Sequence, residues 1–292
     1  MIRMDNKEMT PKEMVQRAEF LLYKTGKAWE NRDEIFTLLF DAYKQKYPRA
    51  AAILSQVYEE EEITQRDDEV ALRYYKEAAE LGDGIGLREM AFHYYNKPEL
   101  YIDYMRKAAL AGDAMGMCAY AEAIIDHFPT EGIKWLKKAS RKQYYQANHW
   151  LAEAYLHGYH YVKQDWKMAR KYVMKNAKVK FYYSIVLIGN FYDFGYGMRK
   201  NYKKAREWYQ YAIDELFEDD AKGYLGRHYI YGLGGLKKDY KKGFELLSTV
   251  ENGFRVPKTL YYELARCYEL GLGTEKNLQK AKELYFKAGI EK

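Results

Sequence analysis

One pattern constrains this chain more than any other: a large apolar or aromatic residue, a small residue, two variable positions and then a second large residue. It reads Leu54-Ser55-x-x-Tyr58, Met90-Ala91-x-x-Tyr94, Tyr120-Ala121-x-x-Ile124 and Leu151-Ala152-x-x-Tyr155. It continues as Ile188-Gly189-x-x-Tyr192, Leu225-Gly226-x-x-Tyr229 and Leu264-Ala265-x-x-Tyr268. The two large residues are four apart and stack on one helical face, and the small residue lets another helix approach. The last position of the pattern recurs at steps of 36, 30, 31, 37, 37 and 39 residues. A period of this length marks a stack of supersecondary units rather than one globular core.

A second pattern follows each copy of the first, again at helical spacing. It reads Ala71/Tyr75/Ala78, Tyr101/Met105/Ala108, Gly132/Leu136/Ala139, Ala169/Val173/Asn176, Ala205/Tyr209/Ala212, Gly243/Leu247/Val250 and Ala281/Tyr285/Ala288. Steps of four and three place a seam of small and apolar residues on one face of an amphipathic helix. An earlier copy, Ile35/Leu39/Ala42, has a looser partner around Phe20 to Tyr23. The expectation is an all-α fold of about eight antiparallel helix pairs forming a single domain over residues 1–292. A degenerate capping pair occupies 1–46 and the regular repeats 47–292. The turns within the third and fourth pairs are short. Four of the longer connections place glycine three residues past the tyrosine (Gly158, Gly195, Gly232 and Gly271), which suits a helix ending in the left-handed conformation.

The segments Tyr268 to Gly273, Asn277 to Ala281 and Leu284 to Ala288 closely resemble the Sel-one-like repeat, a relative of the tetratricopeptide repeat. So do Tyr192 to Gly197, Asn201 to Ala205 and Trp208 to Ala212. The resemblance implies a right-handed superhelical solenoid that assembles protein complexes. The disulfides of the family's cysteine-rich secreted branch are absent, since Cys118 and Cys267 are far apart and read as buried free thiols. A cytoplasmic setting is expected. The first residues do not form a secretory signal, and no apolar run approaches the ~20 residues that cross a bilayer.

If first helices line an inner surface, as the resemblance implies, their faces opposite the core form a binding groove. Those positions hold Gln56, Glu59, Phe92, Tyr95, Glu122, His149, Glu153, Asn190, Asp193, Arg227, Tyr262, Arg266 and Glu269. Exposed aromatics and arginines are favoured binding anchors. Such faces are also polar simply because they meet water.

Catalytic and metal chemistry find little support in the sequence. The glycine pairs near 195, 232 and 271 sit at one phase of the repeat and follow no strand, so they read as turns rather than phosphate loops. His149, Glu153 and His157 lie at i, i+4 and i+8, but zinc needs three or four convergent ligands, and His160 falls in a connection. His93 and His228 occupy equivalent positions and read as helix-surface residues. Glu59 to Glu62 with Asp67 to Glu69 form a solvated acidic patch. Neither a cofactor nor enzymatic activity is expected.

Charge is unevenly placed. Residues 51–100 carry 5 basic and 12 acidic residues, whereas 134–180 carry 12 basic and 2 acidic. The basic stretch, with Lys137, Lys138, Lys171 and Lys175 as candidate anion contacts, is interleaved with Trp135, Tyr144, Tyr145 and Trp166. An acidic protein partner or simple solubility is the preferred reading, and a nucleic acid or other polyanion the alternative.

Overall fold

A computed structural model describes residues 9–60, 63–159, 162–251 and 256–290. Among these residues there are sixteen α-helices and no strand. The chain divides into two compact units, 1–144 and 145–292. The first unit contains α1 (Pro11–Tyr23), α2 (Arg32–Lys44), α3 (Pro48–Glu59), α4 (Asp68–Glu80), α5 (Gly84–His93), α6 (Pro98–Leu110), α7 (Ala114–Ile124) and α8 (Pro129–Arg141). The second contains α9 (Tyr145–His157), α10 (Trp166–Ala177), α11 (Ile185–Phe194), α12 (Tyr202–Leu216), α13 (Asp219–Tyr231), α14 (Tyr240–Ser248), α15 (Lys258–Leu270) and α16 (Leu278–Lys287). Odd- and even-numbered helices pair, and within each unit successive pairs stack. None of the described helices is long and apolar enough to cross a membrane.

One backbone hydrogen bond closes seven of the eight pairs. The N–H of the residue capping the second helix donates to the carbonyl of the residue that ends the sequence pattern. The bonds run from Asp67 to Tyr58 (2.8 Å), Lys97 to Tyr94 (2.8 Å), Phe128 to Ile124 (2.7 Å) and Asp165 to Tyr155 (2.9 Å). They continue from Asn201 to Tyr192 (2.7 Å), Asp239 to Tyr229 (3.0 Å) and Asn277 to Tyr268 (2.9 Å). The same bond therefore closes loops of very different length.

The two loop classes begin their second helices differently. After the long connections an Asp or Asn side chain caps the helix, as Asn201 Oδ1 does by accepting from Lys204 N. After the two short turns the capping residue is Lys97 or Phe128, which supplies no side-chain cap, and proline follows at once. Proline has no N–H to leave unpaired in the first turn. At the other end of the long connections Gly158, Gly195, Gly232 and Gly271 all have φ between 66° and 75°, the left-handed termination expected of them.

Core placement follows the pattern only in part. The leading residues Leu54, Met90, Tyr120, Leu151, Ile188, Leu225 and Leu264 are buried, and so is every second-helix seam residue except the half-buried Tyr101. The small positions admit close contact: a Cβ on Gly226 would lie 2.6 Å from the carbonyl oxygen of Gly243. The closing tyrosines 58, 94, 155, 192, 229 and 268, however, are half-buried rather than enclosed. They lie at the helix end, where one side of the ring meets the connection or solvent. In the first pair the buried residues of α1 are Val15, Ala18, Leu21 and Leu22, while Phe20 and Tyr23 are exposed.

Three second helices carry tyrosine at the middle of the seam, and each finds an acid on its own first helix. Tyr75 donates to Glu59 (2.6 Å), Tyr209 to Asp193 (3.1 Å) and Tyr285 to Glu269 (2.6 Å). A buried hydroxyl left unpaired would cost about 1–3 kcal/mol. Where the seam residue is Leu136, Val173 or Leu247, the partner position is instead Ile125, Leu156 or Ile230.

Replacing the fully buried Tyr209 with Ala should therefore destabilise the chain by ~3–5 kcal/mol. Tyr192→Ala should cost only about 1 kcal/mol, the typical value for a residue outside the core. Chemical denaturation of both variants checks the ranking, and equal losses would contradict it.

Candidate functional site

The outward-facing positions of the first helices do not behave alike. In the first unit Phe92 on α5 is 41% exposed and Tyr95, just past its end, is 70% exposed. The Tyr95 ring meets the Tyr101 ring edge-on at 5.8 Å. Glu122 on α7 is exposed and accepts a weak bond from Cys118 Sγ at 3.2 Å. Burial, with the neighbouring Glu122 carboxylate, raises the Cys118 thiol above its ordinary range, so it remains an unreactive thiol.

In the second unit the same phase builds a network inside the protein. Asp193, near the end of α11, is 1% exposed and is not a groove residue. Its carboxylate accepts from Tyr209 on α12, from Arg227 Nη1 on α13 (3.0 Å to each oxygen) and from His228 Nε2 (3.0 Å). Arg227 reaches onward from its Nε to Glu263 of α15 (3.3 Å). Tyr231 donates to Glu263 (2.5 Å) and accepts from Arg266 Nη1 (2.6 Å). Asn190 accepts from the Tyr209 hydroxyl at 2.7 Å. Asn190, Asp193, Arg227 and Arg266 thus belong to one hydrogen-bonded chain across three consecutive first helices.

The electrostatics of this network favour its charged form. Burial alone would raise the Asp193 carboxyl, but the His228 hydrogen bond and the Arg227 charge outweigh it and hold it below its ordinary value of 3.8. Burial likewise works against the Arg227 charge, and Asp193 and Glu263 more than compensate. His228 is wholly buried, which corrects the expectation of a helix-surface residue; its equivalent, His93, is exposed. The buried Nδ1 of His228 has no hydrogen-bond partner among the described residues.

Glu269 is also engaged, by Tyr285, and Tyr262 is half-buried with its ring 5.7 Å from that of Tyr285. Glu59, bonded to Tyr75, follows the same rule, and Gln56 accepts from Tyr23 at 3.3 Å. The position just after each closing residue serves the helix pair wherever the seam carries tyrosine.

The histidine group separates into two contacts. His149 Nδ1 lies 3.2 Å from Ser184 Oγ, and burial lowers its pKa to about 4, so it is neutral near pH 7. Glu153 lies 3.4 Å from His157 Nε2, and burial raises its carboxyl. His160 lies outside the described residues, as do Glu61 and Glu62 of the acidic patch. The described residues bring together no group of three or more potential metal ligands.

The four candidate anion-binding lysines fall on two units: Lys137 and Lys138 on α8, Lys171 and Lys175 on α10. Lys138 and Lys171 are exposed, and Lys137 and Lys175 are half-buried. Lys138 Nζ sits 3.6 Å above the Trp135 ring, and Lys175 Nζ 5.4 Å from that of Tyr172. Their alkyl stems cover aromatic surface while the ammonium groups remain near water.

Removing Arg227 and Arg266 together is therefore expected to destabilise the second unit, because it strands two carboxylates. Asp193→Asn should cost ~3 kcal/mol at neutral pH, since it removes the central charge of a buried network. The folded carboxyl binds its proton more weakly than the unfolded one. Its stabilisation is thus complete above the ordinary carboxylate range and is lost as pH falls below about 4. Denaturation across pH 2–7 should show a shallower acid limb for the Asn variant than for the wild type.

No curated protein matches the chain. Among solved structures, c5321, a protective antigen present in uropathogenic Escherichia coli strains and displaying an SLR fold, is 23% identical with a TM-score of 0.59. The match covers 86% of this chain and 55% of that protein, so the chain spans just over half the length of that relative. A Sel1 repeat protein from Oxalobacter formigenes is 18% identical with a TM-score of 0.52, over 96% of this chain and 82% of that one. These likenesses bear on fold. The Sel1 repeat family model matches residues 48–83, 102–113, 129–144, 146–173, 183–215, 220–249 and 260–289. With more than half of its residues matched, and with helix pairs stacked as such repeats require, the chain belongs to the Sel1 repeat family.

Proposed function

We propose that this chain is a non-catalytic scaffold that holds partner proteins through exposed aromatic positions on its first helices and through charged outer surfaces. Repeats of this family are in general protein–protein interaction modules. The observation that carries the reading is the exposure of Phe92 and Tyr95, two large aromatic side chains at neighbouring positions of one repeat that the core does not enclose. Rigid aromatic side chains concentrate interface energy because they bury much area for little lost rotamer freedom. In the second unit Asn190, Asp193, Arg227 and Arg266 are already committed to its own network. This moves the recognition surface toward the first unit and leaves Asp193, Arg227 and Arg266 as supports. The buried free thiols Cys118 and Cys267 fit a scaffold working in a reducing compartment, the cytoplasm.

The test is affinity capture from the native host with wild type and with a Phe92→Ala/Tyr95→Ala variant. The expected result is a protein captured by the wild type whose affinity falls more than thirtyfold in the variant, equivalent to ~2 kcal/mol, while the melting temperature barely moves. Salt-sensitive capture of RNA or DNA that is lost on charge reversal of Lys138 or of Lys171, with no protein retained, would replace this reading by polyanion binding.

A further inference from the structure

The two loop classes differ in what they cover. In the second unit each of three consecutive long connections lays its second glycine on the first residues of the preceding second helix. A Cβ on Gly197 would stand 2.6 Å from the Trp166 carbonyl oxygen, and one on Gly234 would stand 3.1 Å from the Tyr202 carbonyl carbon. Gly273 abuts the Tyr240 carbonyl in the same way. Between each pair of glycines stands a large apolar residue: Tyr196, Leu233 or Leu272. The Tyr196 ring packs 5.7 Å from Trp166 and 5.6 Å from Phe194. Basic residues follow within four positions of each second glycine: Arg199 and Lys200, Lys237 and Lys238, and Lys276.

The connection from α7 to α8 has only residues 125–128 and no glycine, so it cannot lie over the start of α6 in this way. What remains there is an open cleft of about 510 Å³. Its apolar lining is Ile102, Tyr120, Ile124 and Phe128, and Phe128 is 61% exposed. Its rim carries the carboxylates of Glu99, Asp103 and Glu131 against the single guanidinium of Arg106. Lys107 pairs with Asp103 at 2.7 Å, and Glu131 accepts from Trp135 Nε1 at 3.3 Å, which leaves the exposed Glu99 as the rim's acceptor for an incoming cation.

We propose that this cleft is a docking site for a partner peptide in which a large apolar residue stands between glycines and is followed by Arg or Lys. The chemistry is that of the chain's own long connections, supplied in trans where the short turn leaves the place open. The apolar side chain would cover Ile102, Ile124 and the exposed ring of Phe128. A cationic residue would meet Glu99, giving orientation more than affinity. This site deepens the partner-binding reading and rests on it.

The test titrates the full chain against a fluorescent synthetic peptide of residues 194–201, Phe-Gly-Tyr-Gly-Met-Arg-Lys-Asn. Saturable binding is expected, at least tenfold weaker in Glu99→Lys, whose side chain is exposed, and at least tenfold weaker when Tyr is replaced by Ser in the peptide. A second variant keeps the buried Ile125, the counterpart of Asp193, and replaces residues 126–128 by 194–201, closing the cleft in cis. It should fold, as its circular dichroism and melting temperature would show, and should no longer bind the peptide. Absence of saturable binding by the wild type, or binding unchanged in both variants, overturns the proposal. So does a concentration-dependent dimer, seen by sedimentation and dissolved by the loop replacement, because the occupant would then be a second copy of the chain. Host partners captured through Phe92 and Tyr95, and unaffected by the loop replacement, would sink this cleft while leaving the scaffold reading intact.

Discussion

The backbone hydrogen bond from each second-helix cap to the carbonyl at the end of the first helix is the constraint on which the stacked pairs depend. It fixes where the second helix starts relative to where the first one stops. Both groups would otherwise be helix-end groups without an intrahelical partner, so the bond satisfies two needs at once. Because it joins Ile124 to Phe128, four positions on, in one pair and Tyr192 to Asn201, nine positions on, in another, loop length can change without moving the seam residues that pack the pair.

A second constraint follows from stacking. Equivalent positions on consecutive first helices are neighbours in space, so side chains one repeat apart can bond. Arg227 lies 34 residues after Asp193, and Glu263 lies 36 after Arg227. In the first unit Arg49 meets Asp83 at 3.1 Å across 34 residues. Buried charge is costly unless its partners are placed well, and in the second unit each carboxylate has more than one donor. Such a network gives register between repeats, and it also withdraws those residues from binding.

This explains which parts of the molecule were legible in the sequence. The small-residue positions, seam triplets and left-handed glycines each depend on one helix or one turn, and a helical period read along the chain finds them. Side-chain burial depends on the neighbouring helix, which the period does not identify. His93 and His228 occupy the same phase, and the preceding repeat offers each an acid just after its closing tyrosine, Glu59 or Asp193; yet Glu59 and His93 are exposed, whereas His228 is buried 3.0 Å from Asp193. The signal was present in another form: an acid followed 16 residues later by tyrosine at 59/75, 193/209 and 269/285, with apolar residues at the equivalent places in three other repeats. Comparing repeats with one another, rather than each helix with solvent, would have moved Asp193 and Glu269 inward.

The same comparison separates the two units by what their surfaces can offer. Where the long connections lie on the preceding helix, the chain fills its own groove, and an exposed apolar floor is avoided. The short turn between α7 and α8 gives up that cover and leaves Phe128 turned to solvent beside three carboxylates. At 61% exposed, Phe128 gives little of its ring to the packing of its own repeat. Its presence at a position that also caps α8, where an Asp or Asn would cap better, sets local helix stability against surface chemistry. A Phe128→Asp substitution should therefore strengthen the start of α8 by up to ~1 kcal/mol while removing the aromatic wall of the cleft. Stability and peptide affinity measured on that one variant would move in opposite directions, the relation expected when a repeat has traded part of its own packing for recognition.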